Sequence, residues 1–308
     1  MTVGPAFISY EEGERHLDWL AMAKALEAGH HLPRATAEVS YLTRGEDTAI
    51  TLSAWIDGLG LAVKSAHVFP GAPEHGAPNI NGGVYFYDDR TGALKAVLDF
   101  HLVTKWKTAA DSLLAALKLA RPESRRVLIV GAGVVARSMV EAYGAGFPGC
   151  AFCVWNRSVE GAERLAAEYP GVEVATDLEA AVRWADIVSC ATLAKEPLIH
   201  GEWLRPGQHV DLIGAFLPDM READDAAMRR ARVFVDIRGD TMENIGEIAD
   251  PLARGVISEA DVLADFYDLP KGIFRRESDE EITLFKNGGG GHLDLMASAH
   301  ILEMCGAT

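Results

Sequence analysis

The sequence predicts an α/β protein with a doubly wound parallel sheet preceded by an α+β domain, and three observations carry that prediction. The run Arg126-Val-Leu-Ile-Val-Gly131-Ala-Gly133-Val-Val-Ala136 breaks an apolar strand into Gly-x-Gly-x-x-Ala and passes at once into a helical pattern, as a Rossmann unit does. Beyond it, short apolar strands at 172–175, 186–192, 209–214 and 233–236 alternate with helical patterns, the rhythm of a parallel sheet. Ahead of it, β-rich segments separated by turn residues read as a mostly antiparallel sheet.

The elements follow in order. Near the N-terminus a helical pattern places Leu17, Leu20, Ala21 and Ala25 on one face. Strand-like segments come next at 35–41, 49–55, 59–68, 83–87 and 94–100. The last two flank Asp88-Asp-Arg-Thr-Gly92, whose residue types suit a β-hairpin turn. An alanine- and leucine-rich helix over 103–120, closed by Arg121-Pro122, leads to the strand 127–130, the helix 134–143 and a second strand, 151–155. After the alternating segments, a strand at 283–287 runs into Gly288-Gly-Gly-Gly291, and a helix over 294–304 is expected to return to the first domain. The expected domains are 1–119, completed by 288–308, and 120–287.

Composition narrows the function. The chain has 308 residues, enough for about two domains with a sizeable core, and 49% of them are hydrophobic. With 45 acidic against 29 basic residues, its formal net charge of -16 argues against nucleic acid or an anionic membrane as partner, though not against a small anion in a locally cationic site. No apolar run approaches the roughly 20 residues of a membrane span. The start also lacks a secretory pattern, so a cytoplasmic protein is expected. Cys150, Cys153, Cys190 and Cys305 form no paired zinc spacing, and Cys150-Ala-Phe-Cys153 overlaps an apolar strand, so packing explains it and no metal is expected.

The glycine motif carries the first chemistry. Gly131 permits the tight turn, Gly133 lets backbone approach a pyrophosphate, Ala136 lets helix pack on strand, and the free N–H groups of the new helix face the anion. At the end of the second strand stand Asn156, Arg157 and Ser158, where an NAD-selective site usually has an acid for the ribose 2′-OH. A neutral residue followed by Arg suits a 2′-phosphate, so NADP(H) is preferred and NAD(H) remains possible.

At this point the residues resemble the ornithine cyclodeaminase and mu-crystallin family, over nearly the whole chain. The motifs, in the family's order, are Pro33-Arg34, Gly60-Leu-Ala-Val-Lys64 with Phe69-Pro70, Lys107-Thr-Ala-Ala110, and Asp186-Ile-Val-x-x-Ala-Thr192. Then come Pro206-Gly207 with Ile213-Gly-Ala215, Pro218 with Arg221-Glu222, and Phe285-Lys286 with Asp294. The resemblance implies that the first domain binds an α-carboxylate and makes a homodimer, while the Rossmann domain brings nicotinamide to the α-carbon at a cleft. It implies Arg34, Lys64 and Lys107 as the cationic floor of the substrate site, where charge-assisted hydrogen bonds would fix the carboxylate. It also places Thr108 near the pyrophosphate and Thr192 with the cofactor, and gives Ala109 and Ala110 as small residues that leave the nicotinamide room.

Two departures stand out. Lys107 replaces the family's usual arginine, exchanging a two-pronged clamp for a point charge. Phe216 stands where cyclodeaminases carry an aspartate for amine chemistry, and it can neither accept a proton nor pair with an ammonium; core packing is its other reading. Three neighbours read as structural: Trp106 as a packing anchor, His101 at the start of its helix, and His67 on the opposite strand face from Lys64. The expectation is an NAD(P)H-dependent oxidoreductase reducing an imino acid, with C=N next to a carboxylate as in iminosuccinate or a cyclic ketimine, and with Lys64 as the catalytic residue. The alternatives are an ammonia-eliminating cyclodeaminase and an NADPH-dependent small-ligand binding protein of mu-crystallin type.

Overall fold

The computed structural model describes residues 4–307. In chain order these form β1 (Ala6–Ile8), α1 (Tyr10–Glu14), α2 (Trp19–Gly29), β2 (Thr36–Arg44), β3 (Asp47–Ile56), β4 (Gly60–Val68), β5 (Ile80–Tyr87), β6 (Leu94–Asp99) and α3 (Phe100–Leu119). There follow β7 (Arg126–Val130), α4 (Val134–Gly146), β8 (Ala151–Trp155), α5 (Val159–Glu168), β9 (Val172–Val174), α6 (Leu178–Trp184), β10 (Ile187–Cys190) and β11 (His209–Leu212). The chain closes with α7 (Asp225–Arg230), β12 (Ala231–Val235), α8 (Asp240–Asn244), α9 (Gly246–Ala253), β13 (Val262–Ala264), β14 (Ile282–Lys286) and α10 (Gly291–Met304). No helix among the described residues is long and apolar enough to cross a membrane.

Two compact units divide the chain at Lys107/Thr108, inside α3, and again at Gly289/Gly290. The sequence pattern put the first boundary at the end of that helix instead. The helix also begins three residues earlier than its apolar periodicity suggests, because Asp99 Oδ1 accepts from the Leu102 N–H at 2.9 Å and satisfies one of the free donors of the first turn.

The first unit holds a six-stranded sheet in the order β1-β6-β5-β4-β3-β2, antiparallel except for the β1–β6 pair. Its hairpin between β5 and β6 turns at Asp88, whose Oδ1 accepts from the backbone N–H and hydroxyl of Thr91, as the turn residues predict. Helix α10 packs across β3, β4 and β5 and against α2. The buried face of α2 is not the one the sequence suggested. Asp18 caps the helix, so it starts at Trp19, and the helical period then buries Trp19, Met22, Ala23 and Leu26 while leaving Leu20 exposed. Trp106 lies in the core as expected, stacked on Trp19 and donating through Nε1 to Glu14.

The second unit is an eight-stranded, wholly parallel sheet in the order β13-β12-β14-β11-β10-β7-β8-β9. The chain starts in the middle at β7, winds outward through β8 and β9, then crosses to β10 on the other side. The reversal of strand order thus lies between β7 and β10, where open α/β sheets bind their ligands. Val127, Leu128, Ile129 and Val130 are all fully buried, the continuous apolar strand that helix-covered parallel sheets require. β1 and β13 were not read from the sequence; at three residues each, neither is long enough to show a period.

Candidate active site

Residues that could hold a dinucleotide lie in the second unit, at the carboxyl ends of β7, β10 and β8. Gly131 has φ +110, and a Cβ there would stand 2.6 Å from the Ala191 carbonyl oxygen, so only glycine lets the ends of β7 and β10 come this close. Gly133 is different. Its φ of -81 suits any residue, and a Cβ there would meet nothing within 4 Å. The space is open on the side from which a pyrophosphate approaches the first turn of α4, and Ala136 is fully buried beneath it. These features fit a dinucleotide.

At the end of β8, Asn156 donates through Nδ2 to the backbone oxygen and hydroxyl of Ser158, which caps α5, and Arg157 is exposed beside them. The buried carboxylate of Glu222 ties the neighbouring loops: its Oε1 accepts from the Thr192 N–H and hydroxyl at 2.8 Å each, and its Oε2 from the Gly214 N–H at 2.6 Å. Glu247 in turn accepts from the backbone N–H groups of Glu222 and Ala223; burial first, then the charge of Glu222, pushes its pKa up to about 7. Deeper in the sheet, Asp211 accepts hydroxyls from Ser112, Tyr143 and Ser189 at 2.9 Å each, and burial outweighs them to raise its pKa to about 6. Thr108 lends its backbone oxygen to Asn287 Nδ2. Phe216, just past β11, is 54% exposed, which removes core packing as its explanation.

The expected cations lie in the first unit. Lys64 occupies β4 on the face toward α10, with Ala62 and Ala66 either side of it. Its side chain is buried, donates through Nζ to Asp294 Oδ1 at 2.9 Å, and lies 4.8 Å from the centre of the Phe100 ring. Burial lowers the pKa of its ammonium; the Asp294 carboxylate opposes that shift, and the charge of Lys107 adds to it. His67, three residues along β4, points to the other face and meets Ser65.

Lys107 is buried as well, and among the described residues it has no salt-bridge partner. Its field also reaches His292, a buried residue in the first turn of α10 whose ring meets His30 edge-on at 5.4 Å between centres. Burial, then His30, Lys107 and Arg34, hold the His292 pKa well below the usual histidine range, so the ring is neutral. Lys64 and Lys107 thus couple to each other, and Lys107 and Arg34 couple to the same imidazole: the three expected cations share one region of this unit. Arg34 is the exposed member, on a cavity of about 230 Å³ with Thr36, Trp55 and Asp57.

Sequence reasoning did not assign roles to Asp294, His292, Phe100 or Glu222. One signal for the first two was present: Asp294 and His292 are polar residues in a helix that is otherwise apolar on nearly every side, where an unpaired charge would be costly.

The sequence matches the ornithine cyclodeaminase/mu-crystallin family over residues 34–306. It is 49% identical over 306 residues to a Δ1-pyrroline-2-carboxylate reductase of Paracoccus denitrificans (strain Pd 1222), covering 97% of each chain. It is 30% identical to the ketimine reductase mu-crystallin of Mus musculus, covering 98% of each. Among solved structures it is similar to the Δ1-pyrroline-2-carboxylate reductase of Thermococcus litoralis in complex with NADH and L-proline, with a TM-score of 0.89, 25% identity and 97% of each chain covered.

Proposed function

The chain belongs to the ornithine cyclodeaminase/mu-crystallin family, and from that premise we propose that it reduces a cyclic ketimine carboxylate, Δ1-pyrroline-2-carboxylate first, to the corresponding amino acid with NADPH. The observation that carries this reading is a pair of buried lysines of which, among the described residues, only one is ion-paired: Asp294 answers Lys64, and the charge left on Lys107 is what a substrate carboxylate completes. Arg34 supplies a second, exposed clamp for the same group.

When bound, the reduced nicotinamide supplies a hydride for the C=N carbon. Gly131, Gly133 and Ala136, with Thr108 and Thr192, hold the dinucleotide; Arg157 pairs with the 2′-phosphate while Asn156 and Ser158 shape its loop. Lys64 orients the carboxylate and gives a proton to the imine nitrogen, a transfer helped by an ammonium more acidic than that of an ordinary lysine. Phe216 offers an apolar, partly exposed ring in place of an acid, which suits a substrate without a second amine.

The reading also includes a homodimer. On the sheet face turned away from α10, Phe7, Val97, Tyr85 and Val63 stand in one cross-strand row, with Phe7 70% and Tyr85 40% exposed. A second copy covering that row removes an apolar stripe from water. Steady-state assays of the purified protein with Δ1-pyrroline-2-carboxylate, its six-membered homologue and iminosuccinate, each with NADPH and NADH, test the reading. Binding of NADPH without its oxidation by any of these imines overturns it.

A further inference from the structure

The geometry points to Asp294 as a positioning residue for Lys64: its carboxylate keeps the buried ammonium charged and aimed, so that Lys64 can deliver a proton to the nitrogen of a bound cyclic imine. This rests on the ketimine reduction proposed above and assigns the residue that makes its proton donor work.

Three features support it. Lys64 and Asp294 lie 230 positions apart in sequence, yet meet with side chains 6% and 1% exposed, so the pair is formed by the packing of α10 on β4 and is shielded from salt and water. Asp294 Oδ2 has no hydrogen-bond partner among the described residues, so the Lys64 ammonium is the one group that hydrogen-bonds this carboxylate there. Apart from the Phe100 ring on α3, whose face favours an ammonium, the surroundings give Lys64 no support as a cation. Also from α3 comes the repelling Lys107 cation; from α10, beside Asp294, comes the neutral His292; and the cross-strand neighbours Leu52 on β3 and Val84 on β5 are apolar. Among these groups Asp294 is the counter-charge, and without it burial and Lys107 both favour the free amine.

The step balances simply. Lys64 Nζ gives its proton to the lone pair of the imine nitrogen, forming an N–H bond and leaving a neutral amine. The C=N carbon gains a hydride, its π pair becomes the lone pair of the product amine, and the dihydronicotinamide is oxidised by two electrons. Lys64 recovers a proton from solvent before the next turnover. Only the protonated form of Lys64 can start this sequence, so the rate falls above its pKa, and Asp294 sets where that fall begins.

The test is the pH profile of kcat/KM for Δ1-pyrroline-2-carboxylate with saturating NADPH, measured for the wild type, Asp294→Asn and Asp294→Glu. Removing an adjacent opposite charge moves the alkaline limb down by about one to three pH units. Asp294→Asn should therefore lose about 10-fold to 1000-fold in kcat/KM in the alkaline arm, and recover to within a few-fold of wild type at acid pH. Asp294→Glu should restore the limb toward its original position. A merely structural carboxylate would lower the rate equally at every pH, and parallel profiles for Asp294→Asn and wild type overturn the assignment. The double variant Lys64→Met/Asp294→Leu replaces the pair with apolar volume and keeps the question open to measurement if Asp294→Asn fails to fold. It should fold and bind NADPH yet reduce the imine at least about 100-fold more slowly, with no alkaline limb; near-wild-type turnover overturns the role. If the wild type itself oxidises no NADPH with any cyclic ketimine, the proposed function falls; if it does so while Asp294→Asn matches it at every pH, only the assignment of Asp294 falls.

Discussion

Gly133→Ala separates ligand binding from folding more cleanly than any other change at the glycine turn. The backbone at Gly133 is extended, with φ -81 and ψ -167, and a Cβ meets nothing within 4 Å, so alanine brings neither strain nor a clash to the free protein. As a change at the N-cap of α4, it should cost under about 1 kcal/mol of stability. In the bound state the new methyl occupies the space in which a pyrophosphate would approach the first turn. Losing close contact with two or three backbone N–H groups, at about 1.4 to 3 kcal/mol, weakens NADPH binding about 10-fold to 100-fold. Gly131→Ala is the control with the opposite signature. Its φ of +110 costs about 1 to 3 kcal/mol for a residue with a side chain. The 2.6 Å approach to the Ala191 oxygen adds a clash with backbone that cannot rotate away. Thermal denaturation without ligand and fluorescence titration with NADPH give both quantities. If Gly133→Ala keeps wild-type affinity, the pyrophosphate does not pack on this turn and the cofactor assignment built on it is wrong.

Three further substitutions probe separate parts of the reasoning. Arg157→Ala should raise the KM for NADPH about 10-fold to 100-fold and leave NADH nearly unchanged, since one charge-assisted contact to the 2′-phosphate is lost; equal penalties on both cofactors would remove that role. Arg34→Ala should raise the imine KM about 10-fold while kcat stays within a few-fold, because an exposed clamp binds the carboxylate without moving a proton; a kcat defect with unchanged KM contradicts it. For Glu247, the folded-state pKa of about 7 lies above the ordinary 4.5, so its favourable contribution is complete below 4.5 and lost as pH rises toward 7. Glu247→Gln cannot titrate, so its stability relative to wild type should improve by about 1 to 3 kcal/mol between pH 5 and pH 8; a difference in Tm that does not change with pH would show that Glu247 is already ionised at the lower pH.

The second unit was the more legible half of the fold, for a physical reason. A strand buried on both faces is largely apolar, so Val127 to Val130 announces itself against the polar turns around it, while Ser189 in β10 and His209 and Asp211 in β11 are buried polar side chains that find hydrogen-bond partners within the sheet unit. The glycine motif adds a backbone requirement, φ +110 at Gly131, that no other residue type meets without strain. The face of α2 was misread because the helical period fits two registers, and the choice depends on where Asp18 starts the helix, which periodicity alone does not settle.

The site shows the same division between local and distant information. Arg34, Lys64 and Lys107 could be picked out because each sits in a short motif, and a motif is a local pattern. Asp294 also belongs to a matched motif, but the motif does not say which cation it meets. Asp294 is one of 45 acidic residues, and its pairing is fixed by how α10 lies across β3, β4 and β5, a long-range packing event carried by apolar neighbours that say nothing of charge. What the sequence did contain was a cost. A lysine alternating with Ala62 and Ala66 on a buried strand face, and an aspartate in a helix apolar on nearly every side, are each unfavourable alone, and each needs an opposite charge in the interior. Pairing the two removes both costs at once. Among the described residues Lys107 is left buried without a salt-bridge partner, which is the chemical reason to look for an anionic substrate there.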